Sequence, residues 1–379
     1  MNIICNREAL QEALRSVTSV VPVRSTKPIL ENVHMTAAGG VLELAATDLE
    51  ITIRTSLDVG IEEEGEVVVP ARRLADSVRN LASEKVQLQW IAKTESWMAE
   101  GDDAGSEAGF LELKGEEENA EMVGADRSEF PVLPDFDDAG SFEMPGACLA
   151  DLVRHTAFAA GKEGGRYVMN GILFGVEKDV VRLVATDGRR LAMACSKAET
   201  GSVDDESSKI VPSRAFQHVA QLVGDSDDPV SVHVGSNQVA FRSGSHRVFT
   251  RILEGDFPKY QDVIPEGAEI RLVVDAGTLA QRLRFVTTQL ADDARGVRFQ
   301  LSTGVLGLET LARGWGQGHA KMEVEYAGED FEITFNADYL LDGLKVANGD
   351  VEFCLTGPQA PGRINLGDDH VYVVMPMNA

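Results

Sequence analysis

The segment Thr186-Asp187-Gly188-Arg189-Arg190-Leu191 gathers a hydroxyl, a carboxylate and two guanidiniums around one glycine. Arginine suits a bound carboxylate or peptide carbonyl, because its planar fork donates two parallel hydrogen bonds. Asp-Gly lies between an apolar run before it (Val180, Val181, Leu183, Val184) and one after it (Leu191, Ala192). That pattern predicts a tight hairpin turn, since glycine accepts the positive φ the turn demands. No catalytic set accompanies it. The sequence has no Gly-x-x-x-x-Gly-Lys-Ser/Thr phosphate loop and no Gly-x-Ser-x-Gly elbow. Its seven histidines show no His-x-x-x-His spacing, and Gly314-Trp315-Gly316-Gln317-Gly318 reads as a loop between strands. Asp48 and Asp187 read as turn-forming acids. Neither a metal nor a cofactor is expected.

The second chemically capable set is basic. Arg7, Arg15, Arg24, Arg72, Arg73, Arg79, Arg154, Lys162, Arg214, Arg282, Arg284 and Lys345 fall on or beside six expected helices. Each alone reads as a solvated helix face. As a set they place base on the helices of a chain whose net charge is −26. Such a field repels nucleic acid on average. Helices sharing one concave surface would nevertheless present cations to phosphates, without reading base sequence.

The elements that must position these residues follow from periodicity. A helix is predicted over 6–21, with Leu10, Leu14, Val17 and Val21 on one face and Asn6 as its N-cap. Others are expected at 71–81, 147–160, from Phe216 to Val223, at 275–290 and after Asn336. Strands fill the intervals. The turn Ala46-Thr47-Asp48-Leu49-Glu50 is a weaker copy of the one at 186. Pro70 follows Thr47 by 23 residues, Pro212 follows Thr186 by 26, and Asn336 follows Leu311 by 25. A strand-rich unit with two amphipathic helices thus occurs three times, giving an α+β chain of tandem two-layer domains. Boundaries are expected at 1–139, 140–266 and 267–379. Residues 93–129, rich in Gly, Glu and Asp, read as an acidic, mobile elaboration of a hairpin. Four scattered cysteines and a first segment with no signal-like pattern suit a reducing, cytoplasmic setting, and no stretch is long and apolar enough to span a bilayer.

In order along the chain stand Lys27-Pro28-Ile29-Leu30, Ala46-Thr47-Asp48-Leu49-Glu50, Tyr167-Val168-Met169-Asn170-Gly171, Ala185-Thr186-Asp187-Gly188-Arg189-Arg190-Leu191-Ala192, Phe257-Pro258-Lys259-Tyr260 and Tyr372-Val373-Val374-Met375-Pro376-Met377. Over its whole length the chain resembles the bacterial DNA polymerase III β subunit, the β sliding clamp family. The resemblance implies three clamp-type domains and a head-to-tail homodimer that closes a ring around double-stranded DNA, with helices lining the pore. It implies a non-enzymatic processivity factor that tethers the replicative polymerase α subunit. It also implies a pocket between the second and third domains for short linear motifs of polymerases, the clamp-loader ATPase complex and repair proteins. By position, the pocket would comprise Met169, Thr186, Gly188, Arg189, Arg190, Leu191, Pro258, Val263, Val373 and Met375, with Pro376 and Met377 at its rim. DNA contacts would fall to Arg24, Arg72 and Tyr167, with Arg73, Lys162 and Arg166 nearby. Three features depart from the family pattern: the acidic 93–129 stretch, Glu163, and Asp262 at the pocket edge. The acidic stretch, with the net charge, keeps a second reading open, a peptide-binding adaptor that does not encircle DNA.

Overall fold

The computed structural model describes residues 1–92, 109–162, 167–198, 207–290, 295–311, 316–367 and 369–377. The first repeat runs β1 (Asn2–Asn6), α1 (Arg7–Thr18), β2 (Asn32–Ala38), β3 (Val41–Thr47), β4 (Ile51–Asp58), β5 (Gly60–Glu63), β6 (Gly65–Pro70), α2 (Ala71–Asn80), β7 (Lys85–Ala92), β8 (Gly109–Lys114) and β9 (Asn119–Val123). The second runs β10 (Ser141–Pro145), α3 (Gly146–Thr156), β11 (Gly171–Glu177), β12 (Val180–Thr186), β13 (Arg190–Lys197), β14 (Ser207–Pro212), α4 (Ser213–Val223), β15 (Pro229–Val234), β16 (Gln238–Ser243) and β17 (His246–Arg251). The third runs β18 (Ile270–Asp275), α5 (Ala276–Thr287), β19 (Gly296–Ser302), β20 (Val305–Thr310), β21 (His319–Glu323), β22 (Phe331–Asn336), α6 (Ala337–Val346), β23 (Asp350–Leu355), β24 (Gly362–Gly367) and β25 (His370–Val374).

Short polar side chains cap the starts of α1, α5 and α6, whereas α2 and α3 follow Pro70 and Pro145. Asn6 Oδ1 accepts from the N–H groups of Glu8 (2.9 Å) and Ala9 (3.1 Å), which stabilises α1 by about 1 kcal/mol. Asp275 and Asn336 cap α5 and α6 in the same way. Leu10, Leu14 and Val17 of α1 are fully buried, as are Leu74 and Val78 of α2 and Leu279, Leu283 and Val286 of α5. Each helix thus spends its apolar stripe on the sheets and leaves its basic face outward.

Two compact units form, and they do not coincide with the repeats. One comprises Met1–Ser141 with Gln221–Arg251, the other Phe142–Ala220 with Ile252–Ala379. The cause is strand pairing across repeats. In the first unit β17 of the second repeat pairs antiparallel with β4, Val248 opposite Ile53. In the second unit β25 of the third repeat pairs with β13, Leu191 opposite Val373. That pairing closes an eight-stranded sheet in the order β14-β11-β12-β13-β25-β24-β23-β18.

The reading of 93–129 as one acidic elaboration is corrected. Residues 109–123 are regular sheet: β8 pairs with β7 and β9, and Leu111 and Leu113 are buried. The acids that mask this pattern in the sequence lie on the other face or in the turn, where Glu118 accepts from the Ala82 N–H (3.0 Å) and the Ser83 hydroxyl (3.0 Å). Residues 93–108 and the acidic loop at 204–206 lie outside the described residues, as do Gly314 and Trp315. Gly318 of that glycine-rich stretch has a packing role. A Cβ there would lie 2.5 Å from the Val286 carbonyl, so only glycine allows the loop to close on α5.

Candidate partner-binding pocket and nucleic-acid surface

The turns at 47 and 186 are built alike. The Thr186 hydroxyl donates to the Arg190 carbonyl (2.6 Å) and accepts from the Gly188 N–H (3.1 Å). Asp187 Oδ1 accepts from the N–H groups of Arg189 (2.9 Å) and Arg190 (3.0 Å). In the first unit Thr47 and Asp48 make the same bonds with Ile51, Leu49 and Glu50. Both turns need a left-handed residue at the same place: Gly188 at φ 85° and Leu49 at φ 78°. Leucine there costs on the order of 1 kcal/mol, which glycine avoids.

Around the second turn a cavity of about 100 Å³ opens to solvent within one unit. Met169, Thr186, Gly188, Arg189, Arg190, Leu191, Pro258, Val263, Val373 and Met375 line it, joined by Lys259 and Tyr260. Its floor is a core cluster of Val184, Leu191, Tyr260 and Val373, backed by Leu173, Met193 and Phe257. One wall is set by sheet register, since the Met375 N–H donates to the Arg189 carbonyl (2.9 Å) beyond the β13–β25 pair. Met375 and Val263 stay partly exposed at the mouth (38% and 37%). Met377 is bound to a different strand, its N–H donating to the Thr334 carbonyl (2.8 Å), and neither it nor Pro376 is among the lining residues.

The two arginines separate. Arg189 is exposed at the mouth. The Arg190 side chain is 5% exposed and fully engaged. Its Nε meets Asp187 (3.1 Å), Nη1 meets Asp342 (2.6 Å), Nη2 donates to the Phe158 carbonyl (2.7 Å), and the guanidinium lies 4.6 Å from the Tyr339 ring centroid. The expectation that either arginine could hold a peptide therefore narrows to Arg189. Arg190 joins β13 to α6 through charge pairing and stacking. Tyr372 completes this wall. Its hydroxyl donates to the Tyr339 carbonyl (2.8 Å), and burial pushes its pKa well above the ordinary value for tyrosine.

The partners of Arg190 were not legible in the sequence, because Phe158, Tyr339 and Asp342 carry no local motif. Lys259 and Tyr260 were legible in part, as neighbours of Pro258 in Phe257-Pro258-Lys259-Tyr260.

The first unit has a counterpart groove at its own turn, lined by Thr47, Leu49, Glu50, Thr52, Pro131 to Pro134, Gln238, Phe249, Thr250 and Arg251. Where the second unit has Gly188, Arg189 and Leu191, this groove has Leu49, Glu50 and Thr52, and Val132, Leu133 and Phe249 supply its apolar side.

Basic residues occupy the outer helix faces. Arg15, Arg72, Arg73, Arg79, Arg154, Arg214, Arg282, Arg284 and Lys345 are exposed, and all six described helices carry at least one such cation or, in α1, also the half-buried Arg7. In the first unit Arg24 and Arg73 are exposed, while Arg72 Nη2 donates to the Val21 carbonyl (2.7 Å), tying α2 to the segment that carries Arg24. In the second unit Lys162 is exposed and Tyr167 is 57% exposed. Arg166 and Glu163 lie outside the described residues.

Comparison with known proteins agrees along the whole chain. Residues 1–112, 143–259 and 261–378 match the N-terminal, central and C-terminal domains of the DNA polymerase III beta subunit. The beta sliding clamps of Pseudomonas aeruginosa and Caulobacter vibrioides are 31% and 32% identical, each over the full length of both proteins. The crystal structure of a Pseudomonas aeruginosa sliding clamp bound to griselimycin is similar over all of both chains, with a TM-score of 0.90 at 30% identity. With three matching domains, the repeated turn and the strand-completed pocket in place, the chain belongs to the DNA polymerase III β subunit family, the β sliding clamps.

Proposed function

We propose that the chain is a non-catalytic sliding clamp. Two copies join head to tail into a ring around duplex DNA, and the ring holds the replicative polymerase on its template in the cytoplasm. The observation that carries this reading is the distribution of charge on the clamp fold. Every described helix presents base, while the chain as a whole carries −26. Cations on helices meet phosphates without reading sequence, which permits sliding. Arg24, Arg72, Arg73, Lys162, Arg166 and Tyr167 are the DNA-facing set in this reading. Loading is left to a separate clamp-loader ATPase.

The cavity at Gly188 receives short linear motifs of the polymerase α subunit, the loader and repair proteins. Its floor is apolar and Met375 is adaptable, which suits several clients. Gly188 leaves room for an extended backbone. Arg189 and Lys259 supply charge at the mouth.

The test uses circular nicked DNA. Clamp loaded onto the circle is retained through gel filtration and lost once the circle is cut to a linear form. Equal retention on both would refute encirclement. A chain that stays monomeric at micromolar concentration, yet binds client peptide, would favour the adaptor reading suggested by the acidic stretch.

A further inference from the structure

One carboxylate and two imidazoles meet where α3 faces β25. Asp151 and His155 stand one turn apart on α3, on the same face. His370 opens β25. His155 Nδ1 lies 3.3 Å from one Asp151 carboxylate oxygen, and His370 Nε2 lies 3.2 Å from the other. The three donor atoms all lie within 4.8 Å of one another. Tetrahedral Zn²⁺ holds nitrogen and oxygen ligands at roughly 2.0–2.1 Å, which sets those ligands about 3.3–3.4 Å apart. Each imidazole nitrogen thus lies at about that distance from an oxygen of the same carboxylate, His155 from one oxygen and His370 from the other.

We propose that Asp151, His155 and His370 form a Zn²⁺ site that staples α3 to β25, with a fourth position left to water. Two imidazoles and a carboxylate suit zinc, whereas Mg²⁺ and Ca²⁺ take oxygen ligands. The side chain of His155 is 5% exposed, that of His370 17% and that of Asp151 38%, so an ion can enter from the Asp151 side. The two rings stack, with centroids 3.8 Å apart and planes at 13°. Imidazole lone pairs lie in the ring plane, so parallel rings do not aim at one ion. His370, the more exposed ring, turns out of the stack when the ion binds. His155 Nδ1 lies 2.9 Å from the Asp151 carbonyl and donates to it; on binding, that proton leaves to solvent and the lone pair goes to the metal. The consequence reaches the pocket. β25 carries Val373 in the pocket floor and leads into Met375, so the ion fixes the strand that forms one wall. The sequence hid the set because His370 is remote from Asp151 and His155, which form no recognised metal motif.

The experiment uses the full-length chain, stripped with EDTA and titrated with ZnCl₂ and, separately, CoCl₂. One Zn²⁺ per chain is expected, and His370→Asn and Asp151→Asn should each weaken it at least roughly tenfold. The Co²⁺ form of the unaltered chain should show the intense visible bands of four-coordinate cobalt. This readout does not depend on any variant folding. Absence of those bands overturns the proposal. So does Zn²⁺ affinity unchanged in the folded variants, which would assign the ion to the acidic surface and leave the triad as a hydrogen-bonded cluster.

Discussion

Arg190 on β13 and Asp342 on α6 are joined at 2.6 Å, with the guanidinium buried and Asp342 half-exposed. The same guanidinium holds Asp187 of the turn and the Phe158 carbonyl. The turn beside the pocket is thereby fastened to a helix of the third repeat. Arg190→Met should destabilise the chain by about 2–3 kcal/mol. That is less than the 3–5 kcal/mol of a fully buried pair, because the orphaned acids reach water. Arg190→Lys should recover little, since lysine cannot fork or stack. Arg189→Ala should change stability by less than about 0.5 kcal/mol and weaken peptide binding instead. Thermal melts beside peptide titrations separate the two arginines, and equal loss of stability in both variants would refute the distinction.

Gly188 and Leu49 hold the same left-handed place in their turns. A Cβ at Gly188 would sit 3.8 Å from Met169 Cε, so the methyl group itself fits and the cost is mostly backbone strain. Gly188→Leu copies the first unit into the second. It should cost on the order of 1 kcal/mol in stability. The longer side chain would occupy the cavity beside Met169, and affinity for a client peptide should fall more than roughly tenfold. A variant that melts slightly early yet binds peptide normally would show that Gly188 serves the turn alone.

The turn and its echo were readable because they are local. Thr-Asp followed by a left-handed residue specifies its own hydrogen bonds, whatever lies beyond. Helix faces were readable for the same reason, and Asn6 and Asn336 marked their starts. Long-range pairing was not. Nothing near Leu191 announces that Val373 lies opposite it, and the two compact units, which cut across the repeats, follow from that pairing and from β17 with β4. The fate of Arg190 was hidden likewise, since a run of two arginines does not say which one is buried. The strands at 109–123 were obscured because Glu112, on the opposite face, and the acids of the turn diluted the alternation of Leu111 and Leu113.

Met375 stands at the cavity mouth with its backbone fixed to Arg189. A carboxylate there would be desolvated by any apolar client residue. Met375→Asp should abolish binding of a Gln-Leu-x-Leu-Phe-type peptide, a loss of at least roughly a hundredfold, while the melting temperature and oligomeric state stay unchanged. Fluorescence anisotropy with a labelled peptide reads the loss, and unchanged affinity would move the binding site elsewhere.

His246 of β17 lies opposite Thr55 of β4, its Nδ1 2.9 Å from the Thr55 hydroxyl. Burial lowers its pKa below the ordinary value, and Glu12 only partly opposes this. The unfolded chain therefore takes up a proton at this histidine near pH 6.5, before the folded chain does. Stability must then fall as pH drops below about 6.5, because the unfolded state binds more protons there. Urea melts at pH 7.5 and 5.5 should show this loss, and His246→Gln should reduce it. An identical pH dependence in the variant would show that other groups carry the effect.

Val273 on the edge strand β18 is 52% exposed, and Phe285 on α5 is 62% exposed. On the edge strand β9, Val123 is 65% exposed. An exposed edge with apolar side chains is a surface built for pairing with another strand. If the proposed head-to-tail dimer pairs β9 of one copy with β18 of the next, the sheet extends across the boundary and covers these side chains. Val273→Asp and Phe285→Asp would each place a charge in that seam, where an unpaired carboxylate costs several kcal/mol, roughly enough to raise a dimer Kd a thousandfold. Light scattering behind size exclusion should therefore find a dimer in the unaltered chain and a monomer in either variant, with circular dichroism unchanged. Dimers of undiminished strength in both variants would place the subunit contact on other edges, and with it the closure of the ring.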